Sequence, residues 1–421
     1  MPSLKKLYNL TFYIVLSLSF LIGGTLQFLF GVSNTVLMIF LGVVMFTNYV
    51  AYVFVKRKVI VNWVFLLFSL YVFTIVMSSL INQTNIINTI VYFNFAFLPL
   101  SVYYFLKINK KEGFIKPKPF FSFILFIASI QLPILLIQRN FYSPLINFNN
   151  SRQYIASYDF MFGSFLVKSD HSLGCFLLFA IIGLLFNVNN VKLYFKNRIF
   201  IALYLSLTLF LAESNISKAL LVTAWLVFFI HYIYNKIPKS FFNKKFYFVS
   251  SLVILSLIAY NVRNIEFITS RLGGTIEQNY TIEKSKYFYE EKTAKRLQII
   301  IVAVNLLDTK YIGDGPYSYF DIRTGKFNNT FHFSQVLWSY FDLGLIGLII
   351  VLGFMYSLVK SVLFDKKYLI IFVFPISLVY MMYTTVFTEI GILLGLFLIF
   401  SIKSNNEFNS NTVSRLEKKR K

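Results

Sequence analysis

The sequence predicts an all-α polytopic membrane protein with about 12 transmembrane helices and two large extracytoplasmic loops. Three observations predict it: composition, the length of the apolar runs, and the placement of positive charge. Hydrophobic residues make up 57% of 421 positions, with 51 Phe and a mean hydropathy of +0.68. One soluble core cannot hide that much apolar surface, so hydrocarbon must be the solvent. Apolar runs fall at roughly 8–30, 33–55, 59–81, 86–106, 120–138, 171–188, 199–212, 216–234, 246–262, 334–359, 368–386 and 389–402. Most have about 20 residues, enough at about 1.5 Å per residue to cross roughly 30 Å of hydrocarbon. The runs at 199–212 and 389–402 are shorter. All are continuous rather than alternating, which argues against a β-barrel.

Charge placement sets the orientation. With Lys5 and Lys6 inside, twelve crossings put every basic cluster on one face: Lys56-Arg57-Lys58, Lys107 to Lys118, Lys192 to Arg198, Lys236 to Lys245, Lys360 to Lys367, and the tail ending Lys418-Lys419-Arg420-Lys421. That face takes 26 of the 40 basic residues with 4 acids, and the other takes 14 with 11. Cytoplasmic loops carry such an excess of Lys and Arg. The net charge of +23 is therefore a topology signal, and nucleic acid is not expected as a partner. The expected location is the bacterial cytoplasmic (inner) membrane, multi-pass, with both termini cytoplasmic and no cleaved signal peptide. One cysteine, Cys175, excludes an internal disulfide and a Cys-based metal cluster.

Residues 1–403 read as a single membrane domain and 404–421 as a cytoplasmic basic tail. Outer loops are expected at about 139–170 and 263–333, every other outer turn being a few residues long. Long ordered loops usually carry a site. Inside the second loop Leu297, Ile300, Ile301, Val304 and Leu307 recur at helical spacing. Roughly eleven residues cannot span a bilayer, so an amphipathic helix lying at the outer interface is expected there.

The candidate chemistry is on that outer face. Arg139, Arg152, Arg263, Arg271, Arg296 and Arg323 offer planar forks that match phosphate oxygens in pairs, and each has the ordinary alternative of a solvated or acid-paired arginine. Arg152 precedes Gly163, and Arg263 precedes Gly274, each with ten residues between them. His332, at the outer mouth of the tenth helix, has the chemistry to accept a hydroxyl proton or donate to phosphate. His171 sits beside Asp170 at the outer start of the sixth helix. The Gly313-Asp314-Gly315-Pro316-Tyr317 turn could bring main-chain N–H groups to an anion or be a plain turn. Glu213 and Glu389 are possible bases or arginine partners. An Asp-x-Asp metal–nucleotide motif, a glycine-rich phosphate loop and zinc spacing are all missing from the sequence, so no metal and no cofactor are expected.

Across about residues 150–350 the chain resembles the O-antigen polymerase and O-antigen ligase superfamily of bacterial envelope glycosyltransferases. The resemblance runs in order through Arg152 and Gly163-Ser164-Phe165, then Ser217-Lys218-Ala219, where the family usually has Ser-Arg-Gly/Ala. It continues with Arg296 and Gly313-Asp314-Gly315-Pro316, similar to the family's Gly-x-Gly turn. It ends with His332 and Asp342-Leu343-Gly344-Leu345-Ile346-Gly347, similar to a His followed by Glu/Asp-x-Gly-Leu-Ile-Gly. Lys218 stands where the family has Arg, and Phe333 where it often has Asn. The paired arginine–glycine spacing looks like the polymerase branch.

The resemblance implies metal-independent glycosyl transfer at the outer leaflet, from undecaprenyl-diphosphate-linked oligosaccharide to another lipid-linked repeat unit, building O-antigen or capsular polysaccharide. It implies His332 and Arg296 as catalytic residues, with Arg152, Arg263, Arg271, Lys218, Gly313 and Gly315 on the substrate. It further implies membrane lipids, a chain-length regulator and a flippase as partners. Two further readings stay open at this stage: a ligase passing glycan to lipid A–core, and a polysaccharide flippase or transporter.

Overall fold

The computed structural model describes residues 2–236, 310–318, 320–321, 326–327, 333–363 and 367–402. Its helices are α1 (Pro2–Ser17), α2 (Gly23–Phe30), α3 (Asn34–Lys56), α4 (Trp63–Ile81), α5 (Ile86–Tyr92), α6 (Asn94–Glu112), α7 (Pro117–Asn140), α8 (Tyr142–Ile146), α9 (Asp170–Leu185), α10 (Arg198–Leu211), α11 (Asn215–Lys236), α12 (Gln335–Val362), α13 (Lys367–Tyr383) and α14 (Ile390–Phe397). One π-turn, Leu18–Ile22, joins α1 to α2, and a two-residue ribbon pairs Phe320–Asp321 with Lys326–Phe327. The contacts divide the chain into two units, one of 1–221, 309–327 and 332–421, the other of 222–308 and 328–331. In the second unit the described residues continue α11, where the Trp225 ring packs on Phe228 and Phe229.

Among the described residues six helical stretches are long and apolar enough to cross a membrane: Ser3–Phe30, Asn34–Lys56, Trp63–Ile81, Ile86–Glu112, Pro117–Asn140 and Gln335–Val362. Only 22% of the apolar window of Trp63–Ile81 is buried, and Leu66, Phe73 and Leu80 point outward. Such a surface is stable only against hydrocarbon, so the protein is embedded in a membrane. Two shorter helices answer differently. Helix α9 is buried from Ser172 through Leu185, and α14 over its whole length. A helix that is apolar all round belongs inside, and these two pack as the centre of the unit. The short run at 389–402 is thus an interior helix followed by a 3-10 turn, Leu398–Phe400.

Basic helix ends gather at one end of the bundle. Lys56 Nζ lies 3.0 Å from Glu112 Oε2, Lys110 donates to the Val362 carbonyl at 2.7 Å, and Lys107 lies 3.4 Å from the Ser361 carbonyl. Arg198 donates to the carbonyls of Leu184 and Leu185 at 2.8 and 3.1 Å, closing the C-terminal end of α9. Cations satisfy the last carbonyls of a helix and its negative dipole end.

Two expectations change in the structure. The end of the stretch 139–170, expected as an outer loop, turns back into the bundle: Phe160 through Val167 are all buried without forming a helix, while Phe141, Phe148 and Tyr154 stay exposed. Bare backbone inside a membrane needs internal partners, and three glutamines supply them. Gln138 exchanges two bonds with Gly163, Gln131 accepts from the Ser164 N–H, and Gln27 accepts from the Val167 N–H. The run at 334–359, expected as one continuous helix, is instead broken inside α12 at Gly344, where φ is +74° and ψ −171°.

Candidate functional site

Four helices begin together at the end opposite the basic cluster: α9, α11, α12 and α14. Hydrogen bonds tie these starts to each other. Ser214 precedes α11, and its hydroxyl meets His171 Nδ1 at 3.0 Å and Ser217 Oγ at 2.7 Å. Ser217 Oγ in turn lies 2.7 Å from the Tyr380 hydroxyl. On the other side of α9, Ser172 donates to Glu389 Oε2 at 2.9 Å and Thr384 donates to Oε1 at 2.8 Å. The Gln335 N–H reaches the Thr384 carbonyl at 3.3 Å, which brings the start of α12 to the same place.

Two glycines allow this crowding. A Cβ on Gly174 would sit 2.2 Å from Ser217 Oγ, and one on Gly391 would sit 2.7 Å from Ser172 Cβ. Any larger residue at either position pushes a helix start out of the cluster. The local sequence explains why the polar groups are here. Asp170, Ser214 and Ser334 are residue types that favour helix starts, and Ser334 Oγ accepts from the Leu337 N–H at 3.3 Å.

The electrostatics are mixed. Asp170 lies 3.5 Å from His171 Nδ1. The Glu213 carboxyl is raised above the ordinary glutamate range, first by burial; the charge of Lys218 opposes the shift, Asp170 and Asp159 add to it, and Arg139 opposes it. Lys218 Nζ is 3.4 Å from Asn215 Oδ1 in the first turn of α11. The cluster therefore joins the positive ends of four helices and Lys218 to several carboxylates and an imidazole, with the charge of Arg139 felt at Glu213. Such an arrangement can hold an anion and exchange a proton beside it.

The glycine turn has a different job. The Asp314 N–H donates to the Phe341 carbonyl at 2.8 Å and the Gly315 N–H to the Asp342 carbonyl at 3.0 Å. The N–H groups of Leu345 and Ile346, freed by the break at Gly344, are taken by the carbonyls of Lys310 and Tyr311. Buried Asp342 accepts from the Ser318 hydroxyl at 2.8 Å and from the Tyr317 N–H at 3.2 Å. Ser78 donates to the Asp342 carbonyl and Asn82 to the Gly313 carbonyl, both at 2.8 Å. Residues 310–318 are thus a strap that replaces the lost helical bonds of α12, and those amides are spent on it rather than on an anion. The two glycine-containing motifs of the family resemblance are here one interlocked unit.

Of the other residues expected in the site, Lys218 is in the cluster, and Arg152 is exposed on the loop after α8 with φ +59°. Gly163, eleven residues further on, is buried with φ +64° against Gln131 and Gln138, which accounts for the glycine by backbone geometry. Arg263, Arg271, Arg296 and His332 lie outside the described residues. Sequence reading did not single out Ser172, Ser214, Tyr380, Thr384 or the three glutamines. The available signal was a polar residue inside an apolar run, which in a membrane segment calls for a named partner.

Comparison with protein-family models, curated proteins and solved structures finds no match for this chain.

Proposed function

We propose that this protein polymerises undecaprenyl-diphosphate-linked oligosaccharide repeat units into O-antigen or capsular polysaccharide at the outer leaflet of the bacterial cytoplasmic membrane. The observation that carries this reading is the meeting of four helix starts, with Lys218 and the charge of Arg139, at the end opposite the lysine-rich one. In the twelve-span topology expected from the sequence, with both termini cytoplasmic, that end faces outward. A departing lipid diphosphate develops negative charge, and preoriented helix dipoles and cations at a low-dielectric boundary stabilise it. Carboxylates and an imidazole beside them suit activation of an acceptor hydroxyl. Arg152, Arg263, Arg271, Arg296 and His332 complete the site in this proposal, with no metal required.

The test is the surface glycan of a deletion strain complemented at matched expression with wild type, Arg296→Ala, His332→Ala or Lys218→Ala. Glycan of one repeat unit, restored to a ladder by wild type and not by the variants, is the expected result. Full-length chains stranded on the lipid carrier would mean a ligase, and an unchanged ladder in every strain would sink the assignment.

A further inference from the structure

A cavity of about 380 Å³ lies between α2, with Leu21 of the π-turn before it, and α7. Its walls are Leu21, Thr25 and Leu29 on one side and Ile134 and Ile137 on the other, and Phe160 and Phe162 of the returning segment close its floor. Both walls belong to membrane-crossing stretches, Ser3–Phe30 and Pro117–Asn140. The lining residues Leu29 and Ile137 are themselves exposed, so the groove opens onto the face that hydrocarbon covers.

Water is a poor filler for this space. Two of the three polar side chains on its lining are committed elsewhere, Gln138 to Gly163 and Ser164 to Gln131 and the Phe20 carbonyl, which leaves the Thr25 hydroxyl at the exposed rim. A buried water needs two or more polar partners, whereas an empty apolar groove forfeits dispersion contacts along its whole wall. A hydrocarbon chain fits both facts, and the volume falls in the range of ligand-sized cavities.

Charge supplies the second half of the argument. Arg139 follows the lining residues Ile137 and Gln138 on one wall and is exposed. Arg152 lies on the loop clasped to the other wall, where Asn150 bonds the carbonyls of Phe28 and Leu29, each at 2.7 Å. An apolar groove whose two walls both lead to arginines at one end matches an amphiphile with an anionic headgroup. Lipids of the surrounding bilayer far outnumber any other amphiphile, so by mass action they fill it first.

We propose that this groove is a binding site for one chain of a resident anionic phospholipid, its phosphate facing Arg139 and Arg152. The inference needs the groove and its two arginines and stands whether or not the protein is a polymerase; in a polymerase it places Arg152 on this lipid rather than on the substrate. The experiment is native mass spectrometry of the purified full-length protein exchanged into equimolar phosphatidylglycerol and phosphatidylcholine with identical acyl chains. One tightly retained phosphatidylglycerol is expected. The preference should fall about fivefold for each of Arg139→Gln and Arg152→Gln. Thr25→Trp fills the groove from an exposed position and should abolish retention of both lipids, with an unchanged melting temperature showing that the variant folds. Equal retention of the two lipids, or retention indifferent to Thr25→Trp, overturns the proposal. Displacement of phosphatidylglycerol by an equal concentration of farnesyl phosphate also overturns it, by assigning the groove to isoprenoid chains.

Discussion

Gln138 and Gly163 bind each other as two peptide groups would: the side-chain amide accepts from the glycine N–H at 2.9 Å and donates to its carbonyl at 2.9 Å. A side chain on α7 thus supplies what a neighbouring strand or helix turn would supply elsewhere. Gln131, two turns earlier, does the same for Ser164 with its N–H and hydroxyl.

Gln138→Leu should therefore leave one donor and one acceptor without partners in a buried segment, each costing about 1–3 kcal/mol. Gln138→Glu keeps an acceptor for the Gly163 N–H and loses the donor, so it should fall between wild type and Gln138→Leu. Thermal unfolding of the purified variants in detergent gives the order. Equal melting temperatures for all three would show that the returning segment does not depend on this exchange.

Gly344 permits the break in α12. A Cβ there would lie 2.4 Å from the Tyr311 carbonyl oxygen, at φ +74°. The clash is with backbone, which cannot rotate away. Gly344→Ala should destabilise by about 1–3 kcal/mol for the left-handed conformation alone, and should expose the strap to limited proteolysis between Lys310 and Ser318. Gly353, in the same helix, has only Leu67 side-chain atoms at 3.8 and 4.0 Å. Gly353→Ala should be neutral or stabilising by about 0.5–1 kcal/mol.

Gly174→Ala tests the helix-start cluster. The added methyl meets Ser217 Oγ at 2.2 Å and must separate α9 from α11. Overpacking of this kind costs typically about 1–3 kcal/mol. Complemented cells should lose long surface glycan even where the protein level is matched. An unchanged ladder at matched protein level would show that the cluster tolerates the separation.

Glu213 gives a pH prediction with a definite sign. Burial chiefly holds its carboxyl above the ordinary range, so the folded protein favours the protonated form. Its contribution to stability is present below its unfolded pKa and is lost as pH rises through its folded pKa. Glu213→Gln should accordingly melt higher than wild type at about pH 8, with the advantage shrinking toward about pH 4, across the ordinary glutamate range. A constant difference over that interval would mean that Glu213 does not titrate differently on unfolding.

Much of the framework is legible in residue order. Among the described residues the apolar runs coincide closely with helices, because burial in hydrocarbon is a sum over residue types along about 20 positions; the run at 246–262 lies outside them. Lys56, Lys107, Lys110 and Arg198 do share one end of the bundle, since cations avoid hydrocarbon and seek helix C-terminal carbonyls. The site was harder to read. His171, Glu213, Glu389 and Lys218 were visible as polar residues near helix starts, yet no spacing along the chain relates Ser172 to Glu389 or Ser217 to Tyr380. Those pairs are 217 and 163 residues apart.

The sequence by itself determined that the protein lives in a membrane and which helix ends carry the positive charge. Both follow from each residue's own preference between water and hydrocarbon, which needs no knowledge of neighbours. Only the tertiary structure decided that Phe160–Val167 turn inward, that α12 breaks at Gly344, and that the Gly313 turn is a strap rather than an open loop. Each of these depends on a backbone group finding a distant partner: Gly163 on Gln138, Ile346 on Tyr311, Gly315 on Asp342. Inside hydrocarbon such a group has no water to fall back on, so the pairing rather than the local sequence fixes the backbone.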